Sequence, residues 1–228
     1  MARGRREPAS QEAGGNPFDP PQGGGAYGPR SGGNRVKLLA IECLGDGVSV
    51  AVSTKPGKVY QRKVKAKRQD EKLVSTLDGA LKAARTRLDG IDAIVVASGP
   101  GRFTSARIGV TFANTLAWSL GKPIAAVTLF DAFAERLSAE GIADGDYALA
   151  FPAVREEWYV QDFRWTNGVC SARGDPRWVE SARGVRTPAR PIEARDLLPV
   201  AARRMAEGTP PFAEAVPLYL KPASYLKK

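Results

Sequence analysis

The sequence predicts an α/β protein, from a strand-helix-strand unit in the middle of the chain and a strand meander before it. An apolar run at 94–97 is followed by a glycine turn and then by a helical pattern with apolar residues four apart. Gly121 and Pro123 end that helix before a second apolar run at 124–127. A unit of this kind indicates two parallel strands in one sheet.

The meander precedes this central unit. A strand at 38–43 is followed by the turn Gly45-Asp46-Gly47 and by an alternating run at 48–52, which is typical of a half-buried antiparallel strand. A third strand at 59–65 leads into a helix at 70–88, whose leucines recur at spacings of three and four. The predicted order is three strands, a helix and then the parallel unit.

The second half of the chain is predicted to be smaller. A capped helix ends at Gly141, and strands are predicted at 147–151 and 158–165. The arginine- and proline-rich segment 170–194 is predicted to be irregular. A helix at 197–205 and a strand-like tail at 216–220 that returns to the core follow it. We therefore expect half-domains at 36–140 and 141–228.

The first 35 residues differ in composition from the rest of this 228-residue chain. Glycine, proline, arginine and polar residues dominate there, so 1–35 is expected to be a disordered arm. The whole chain has 43% hydrophobic and 25% charged residues, as globular proteins do. It contains no apolar segment suited to a leader or a membrane span, and we expect a cytoplasmic protein without membrane contact.

Residues that could carry out chemistry are few. The chain has no histidine, and Cys43 and Cys170 lack metal-type spacing, so neither a metal site nor a cofactor is expected. Both cysteines are expected to be reduced and buried. The candidate acids Glu42, Asp46 and Glu157 have no base, nucleophile or metal partner that the sequence reveals, which argues against catalysis.

The glycine turn before the central helix has two interpretations. Glycines ahead of a helix can bring backbone amides close to a phosphate. The turn lacks the dinucleotide fingerprint because Thr104 replaces the third glycine, and it lacks the P-loop because no Gly-Lys-Ser/Thr follows. A tight structural turn, with Thr104 near the start of the helix, is the interpretation that the residues favour.

The residues around this turn resemble a known family. The run 99–109, GPGRFTSARIG, resembles the GPGSFTGLRIG signature of the TsaB family, also called YeaZ, a subunit of the bacterial machinery that makes threonylcarbamoyladenosine in tRNA. The similarity continues upstream at 38–52 and downstream at the PLYLK run, 217–221, so it covers nearly everything after residue 35. The signature turn comprises Gly99, Pro100, Gly101, Phe103, Thr104 and Arg107.

The resemblance implies a fold and a function. The fold would be the actin-like, ribonuclease H-like ATPase fold, with two half-domains of which the second is reduced. The protein would be a non-catalytic scaffold that binds and activates a TsaD-like threonylcarbamoyl transferase. A TsaE-like ATPase would join the larger complex, and the isolated subunit would form a weaker homodimer.

The resemblance also implies a partner surface on the two helices that flank the central strand. Apolar and small residues on these helices exceed what one core requires, although such a stripe can equally be core. The expected partner-binding residues are Leu73, Leu77, Leu81, Ile108, Phe112, Thr115, Leu116 and Ser119.

The chain departs from the family pattern at several places, two of which lie in the first half-domain. Glu42, Cys43 and Leu44 stand where the family has Asp-Thr-Ser, so phosphate chemistry is not expected after the first strand. Around the position where relatives carry a histidine, near the start of the helix at 70–88, this chain has Arg68, Gln69 and Asp70. Whatever that histidine does is absent or replaced.

A dense basic run lies between the third strand and this helix. Its lysines can protect a solvated edge strand from aggregation, or they can contact RNA phosphates. The net charge of +10 favours binding to polyanions without selecting tRNA among them. The possible RNA contacts are Arg62, Lys63, Lys65, Lys67 and Arg68.

Two other functions remain open at this level. One is an actin-fold ATPase or sugar-kinase-like enzyme, which would have to bind nucleotide. The other is a divergent paralogue that keeps the fold and binds another protein or RNA, an alternative left open by the missing histidine and the altered turn after the first strand.

Overall fold

A computed structural model describes residues 36–55, 57–208 and 214–221. The predicted arm at 1–35 lies outside these residues. The first sheet has five strands in the order β3-β2-β1-β4-β5. β1 pairs antiparallel with β2 and parallel with β4, and β5 is also parallel to β4. The strands are β1 Leu38–Glu42, β2 Gly47–Lys55, β3 Lys58–Lys65, β4 Ala93–Gly99 and β5 Ile124–Thr128.

The two central strands are buried along their whole length. Every residue of β1 and of β4 is buried. Parallel strands that are covered on both faces have continuous apolar runs without alternation, which is the pattern of 38–41 and 93–97. The predicted meander and parallel unit are confirmed.

Two pairs of helices cover the two faces of this sheet. Helices α1, Asp70–Ala84, and α2, Phe103–Leu120, pack on one face, against a cluster that includes Leu39, Ile41 and Val96. Helix α3, Leu129–Ala139, and helix α4, Ala194–Ala206, pack on the other. Among these helices of the described chain, none has the length and apolarity that crossing a membrane requires.

The ends of the first two helices differ in how well the sequence predicts them. Helix α2 ends at Gly121 in the left-handed conformation, φ 58°, as predicted. Helix α1 ends at Ala84, four residues before the predicted end, because Arg85 adopts a left-handed φ of 50° and its N–H turns back to Leu81 and Lys82. A short 3-10 helix, Leu88–Gly90, follows. An arginine in this conformation leaves no signal in the sequence.

The second sheet is antiparallel, with strands β6 Gly145–Pro152, β7 Trp158–Thr166 and β8 Val169–Val179 in that order. Strand β8 corrects the prediction that 170–194 is irregular. Most of its residues are exposed, so it carries arginines and lacks an apolar alternation. Pairing with β7 forms this strand, including a register shift near Gln161.

Both sheets contribute to one continuous core. The face of the second sheet that carries Phe163 and Trp165 packs with α3 and α4 against the first sheet. Trp165 is 1% exposed, and its indole Nε1 donates a hydrogen bond to the hydroxyl of Ser138, 2.8 Å away. Leu197 of α4 is completely buried there.

Helix α4 begins three residues earlier than predicted. Glu193 and Asp196 form a reciprocal capping box around its first turn. Asp196 also pairs with the buried guanidinium of Arg136 at 2.6 Å and with Arg190 at 2.9 Å. These contacts fix the start of α4 against α3 and the 190–193 segment.

The last described segment, 214–221, is not a strand, which corrects the prediction for 216–220. It does return to the first sheet, because the backbone N–H of Leu218 donates to the oxygen of Ser98 at 2.8 Å. The amide side chain of Asn114 on α2 bonds both the N–H and the C=O of Ala215, each at 2.9 Å.

We expect the shared core to make the protein unfold as one unit. Replacement of Leu197 with alanine should lower the free energy of unfolding by about 2–5 kcal/mol, because it leaves a cavity between the sheets. Urea denaturation followed by hydrogen exchange should show β4 and β7 losing protection together. Separate transitions for the two strands would contradict a shared core.

Candidate functional site

The glycines of the signature turn are required by close contacts within the chain. Gly99 has a φ of 145°, and a Cβ at this position would lie 2.8 Å from the backbone oxygen of Leu218. A Cβ at Gly101 would lie 2.9 Å from the side chain of Leu44. Both contacts fill the space beside the turn with protein. They favour the tight structural turn over the phosphate cradle.

The first residues of α2 present an aromatic cluster to solvent. Phe103 is 56% exposed, and its ring centre lies 4.7 Å from that of Tyr219. The guanidinium of Arg107 lies 5.4 Å from the Phe103 ring. Thr104 is exposed and does not cap α2. The N-cap residue of this helix is Arg102, whose side chain makes no capping hydrogen bond.

Glu42, at the end of β1, organises the turn that follows it. Its carboxylate accepts hydrogen bonds from the N–H groups of Leu44 and Gly45, at 2.5 and 2.9 Å, and from the Ser49 hydroxyl at 3.0 Å. The Ser49 oxygen in turn accepts the N–H of Ala194 at 2.9 Å. Burial raises the pKa of Glu42 to about 7. This carboxyl therefore links the turn to the start of α4.

Gln69 replaces the histidine that the family resemblance leads one to expect near this position. It is 5% exposed, whereas its neighbours Arg68 and Asp70 are exposed. Its side-chain amide lies 2.7–3.1 Å from three backbone oxygens of the β1–β2 turn, those of Cys43, Gly45 and Gly47. Sequence reasoning did not assign this role, because the bonded residues are 22 to 26 positions away.

A groove of about 520 Å³ runs between α1 and α2. It is lined by Asp70, Leu73, Thr104, Arg107, Ile108, Thr111, Phe112 and Thr115. Several of these are predicted partner residues, so the structure brings part of that set together at one concave surface. The groove has mixed apolar and hydroxyl-bearing walls.

The predicted partner residues differ in how far they reach solvent. Leu73 and Leu77 are 2% and 7% exposed, and they pack into the protein's own core. Leu81, Ile108, Phe112 and Leu116 are half-buried, and Thr115 and Ser119 are exposed. The surface available to a partner is therefore carried mainly by α2, while the α1 leucines support it from beneath.

The exposed face of α2 is almost free of charge. Arg107 is the single charged residue in this 18-residue helix. Trp118, near the end of α2, is 51% exposed. The sequence prediction did not include this residue, although the low charge content of the helix could have indicated an exposed apolar surface. Interface centres are depleted of charge and enriched in aromatic residues. The exposed face consists of Phe103, Thr104, Arg107, Thr111, Thr115, Trp118 and Ser119.

The predicted RNA contacts lie on β3 and on its connection to α1. β3 forms one edge of the first sheet. Lys63 pairs with Glu193 at 2.7 Å, and Arg68 pairs with Glu71 at 2.9 Å. Arg62 lies along Gly79 of α1, while Lys65 and Lys67 are exposed.

The remaining candidate acids are engaged in ion pairs. Asp46 pairs with Arg102 at 3.0 Å, and Glu157 pairs with Lys221. Burial raises the pKa of the Cys170 thiol to about 11 and that of Cys43 further, which keeps both thiols protonated. Cys43 is buried as predicted, and Cys170 is half-buried. Within the described residues, no three potential ligands cluster as a metal site requires.

The chain is similar to proteins of tRNA threonylcarbamoyladenosine synthesis. The family model described as TsaD, tRNA N6-adenosine threonylcarbamoyltransferase, matches residues 62–183. The tRNA threonylcarbamoyladenosine biosynthesis protein TsaB of Bacillus subtilis is 47% identical over 77 residues, which cover 33% of this chain and 32% of that protein. The tRNA N6-adenosine threonylcarbamoyltransferase of Chlorobaculum tepidum is 38% identical over 68 residues, 29% of this chain and 19% of that protein. The chain thus spans a third or less of these curated relatives.

Two solved structures share the fold. YeaZ from Pseudomonas aeruginosa has a TM-score of 0.69 and 24% sequence identity, covering 81% of this chain and 100% of that chain. A second P. aeruginosa structure, described as similar to YeaZ, has a TM-score of 0.70, also at 24% identity, and covers 82% of this chain and 100% of that chain. This likeness confirms the predicted actin-like α/β fold.

Substitution of Gly99 with alanine should destabilise the protein strongly. The new Cβ would meet the Leu218 backbone at a φ that side chains rarely adopt, and we expect a loss of more than about 3 kcal/mol. Gly121→Ala is the matched control, because its φ is also positive but a Cβ there has no heavy atom within 4 Å. It should cost about 1–2 kcal/mol. Equal losses by urea denaturation would disprove the close-contact explanation.

The stability of the protein should depend on the ionisation of Glu42. Its pKa is about 7 in the folded protein against 4.5 as the ordinary value, so the unfolded chain loses this proton first. The stabilising contribution of Glu42 should be largest below pH 4.5 and should fall by about 3 kcal/mol as the pH rises from there through 7. With no histidine in the chain, few other groups titrate in this window.

The neutral variant Glu42→Gln isolates this effect. Its stability should change less between pH 5 and 8 than that of the wild type, because it cannot release the proton. Urea denaturation of both proteins over this range provides the measurement. Parallel stability curves would show that Glu42 has an ordinary pKa.

Proposed function

The chain belongs to the family that the TsaD model describes, and from this premise we propose that it is a non-catalytic scaffold subunit of the TsaB/YeaZ type in tRNA threonylcarbamoyladenosine synthesis. The similarity to TsaB of Bacillus subtilis supports the resemblance that the signature turn indicated. In the proposed function the subunit binds and activates a TsaD-like transferase, to which the catalytic residues belong. A TsaE-like ATPase joins the larger complex.

The observation that carries this proposal is the nearly uncharged exposed face of α2 beside the α1–α2 groove. Phe103 and Trp118 expose half or more of their surface at opposite ends of the helix. The same exposed face carries three hydroxyl-bearing residues four positions apart, Thr111, Thr115 and Ser119. A solvated helix face is ordinarily charged, so this composition favours burial against a protein.

The spacing of these small residues favours a helix as the contacting element. Residues four apart lie above one another on a helix surface. Short side chains there allow a second helix to approach closely, while the aromatic residues at the two ends provide anchors. A transferase of related fold would present a matching pair of helices, giving a four-helix contact. Without that partner, the same surface would support a weaker homodimer.

The crevice beside the signature turn supports a non-catalytic role. In open α/β sheets, ligands bind at the carboxyl ends of the strands. Here Leu44 and Leu218 lie beside the glycines of the signature turn, and the carboxylate of Glu42 accepts three hydrogen bonds. An ATPase or kinase would need that space for phosphates. This packing disfavours the enzyme alternative.

Replacement of Thr115 with glutamate tests the proposed interface. The variant should lose at least a hundredfold in affinity for the TsaD-like protein of the same organism, because docking would bury an unpaired charge. It should keep its melting temperature, since Thr115 is exposed. Isothermal titration calorimetry with the purified partner provides the affinity.

Thr166→Glu is the matched control for this experiment. It introduces the same charge at an exposed threonine of the second sheet and should bind the partner as the wild type does. If Thr115→Glu binds with wild-type affinity, the interface lies elsewhere. If both variants lose affinity equally, the effect is one of overall charge.

A further inference from the structure

Half of the chain's net positive charge is concentrated in a short surface strip. We define the basic strip as the cationic residues of 58–72, which carry seven positive charges against two carboxylates, a net charge of +5. We propose that the basic strip binds the phosphate backbone of RNA. It comprises Lys58, Arg62, Lys63, Lys65, Lys67, Arg68 and Lys72.

Only the identity of this RNA rests on the proposed function: we take it to be the tRNA that the complex modifies. The binding itself depends on the charge distribution of this chain. It can therefore be measured without the partner, and it can fail while the partner interface holds.

The charge is local and does not reflect a uniformly basic protein. The whole chain carries +10 over 228 residues, whereas the strip carries +5 over 15 residues. In the second half, residues 141–221, eleven cationic residues are balanced by eleven carboxylates. A field of one sign over a limited area attracts a polyanion to that area.

The position of the strip allows a long ligand to follow it. Strand β3 is the sheet edge, so no further strand covers its outer side within the described chain. Side chains two residues apart on one face of a strand lie about 6.8 Å from each other. Lys63 and Lys65 have this spacing, and the charges continue through Lys67 and Arg68 to the start of α1. Arg62 lies on the α1 side of the strand and Lys63 on the α4 side, so the cations surround the sheet edge.

Two members of the strip already have carboxylate partners. The side chains of Lys63 and Arg68 are nonetheless 67% and 73% exposed in their pairs with Glu193 and Glu71. An exposed ion pair such as Arg68–Glu71 contributes about 0.2–1 kcal/mol, so exchange of its carboxylate for a phosphate costs little. In the other pair, the side chain of Glu193 is 19% exposed. Protection of an edge strand from aggregation does not account for Lys67, Arg68 and Lys72, which lie beyond the end of β3.

The strip carries no stacking platform for bases. Its one aromatic residue, Tyr60, is half-buried, and the ammonium of Lys58 lies 5.7 Å from the ring centre. Contacts to phosphates position a nucleic acid without reading its sequence. Recognition by the strip is therefore electrostatic, and its signature is a steep dependence of affinity on salt concentration.

The test replaces four exposed cations of the strip in the full-length chain. Fluorescence anisotropy with an unmodified, transcribed tRNA is measured from 50 to 300 mM salt. The variant Lys63→Gln, Lys65→Gln, Lys67→Gln, Arg68→Gln should lose about tenfold or more in affinity near 0.15 M salt, and its salt slope should fall by about 3. Its melting temperature should match that of the wild type, because these side chains are exposed.

Two control variants keep the inference falsifiable. One replaces four exposed arginines elsewhere with glutamine, Arg87, Arg155, Arg173 and Arg183, and should change the affinity less than threefold. The other replaces the five arginines of 1–35 and should keep most of the salt slope. Equal losses in the first control and the strip variant would overturn the proposal, as would a loss confined to the second control.

The outcome can be separated from that of the proposed function. The strip variant should still bind the TsaD-like partner, and Thr115→Glu should still bind tRNA with the wild-type salt slope. Loss of partner binding by the strip variant would mean that the strip belongs to the protein interface, and the RNA inference would be abandoned.

Discussion

The constraint on which this structure depends is the burial of β1 and β4 on both faces. Two adjacent parallel strands without polar faces need cover from helices on each side, and α1, α2, α3 and α4 supply it. At the carboxyl ends of these strands, the buried backbone N–H and C=O groups of the turns also need hydrogen-bond partners. Protein groups meet it: Glu42 satisfies two turn amides, Gln69 lies within hydrogen-bond distance of three turn oxygens, and Ser98 bonds Leu218.

This arrangement separates two roles that a strand-turn-helix unit can combine. In many α/β proteins the turn at the end of a strand binds the ligand and the helix behind it is buried support. Here the turn is closed by hydrophobic packing, and the outer face of the helix is the surface left open. The same unit that could hold a phosphate instead presents α2 to solvent, with aromatic residues at both of its ends. A binding role by helix packing follows from this more directly than a catalytic one.

Local signals in the sequence were sufficient for much of the fold. The buried strands, α2 and its end at Gly121 follow from apolar runs and from turn chemistry within a few residues. Strand β8 pairs with β7 across a two-residue turn, and it was missed because its exposed residues lack an apolar alternation. The role of Gln69 could not be predicted, because it acts on a turn more than 20 positions away. The candidate site was predictable in part. Periodicity identified Leu73 and Leu77 as one apolar face, but it cannot tell whether that face is covered by the same chain or by another.

Ala215 and Leu218 pack against α2 and the signature turn, and these contacts can form only late in translation. Asn114 forms hydrogen bonds with Ala215, which is 101 positions later in the chain. These bonds cannot form until the whole second sheet has been translated. At about 5–20 residues per second, this interval lasts about 5–20 s. Throughout it, the nascent chain would carry an open cleft beside a helix rich in apolar residues. Factors that accompany polypeptides as they leave the ribosome would meet that cleft before any finished partner could.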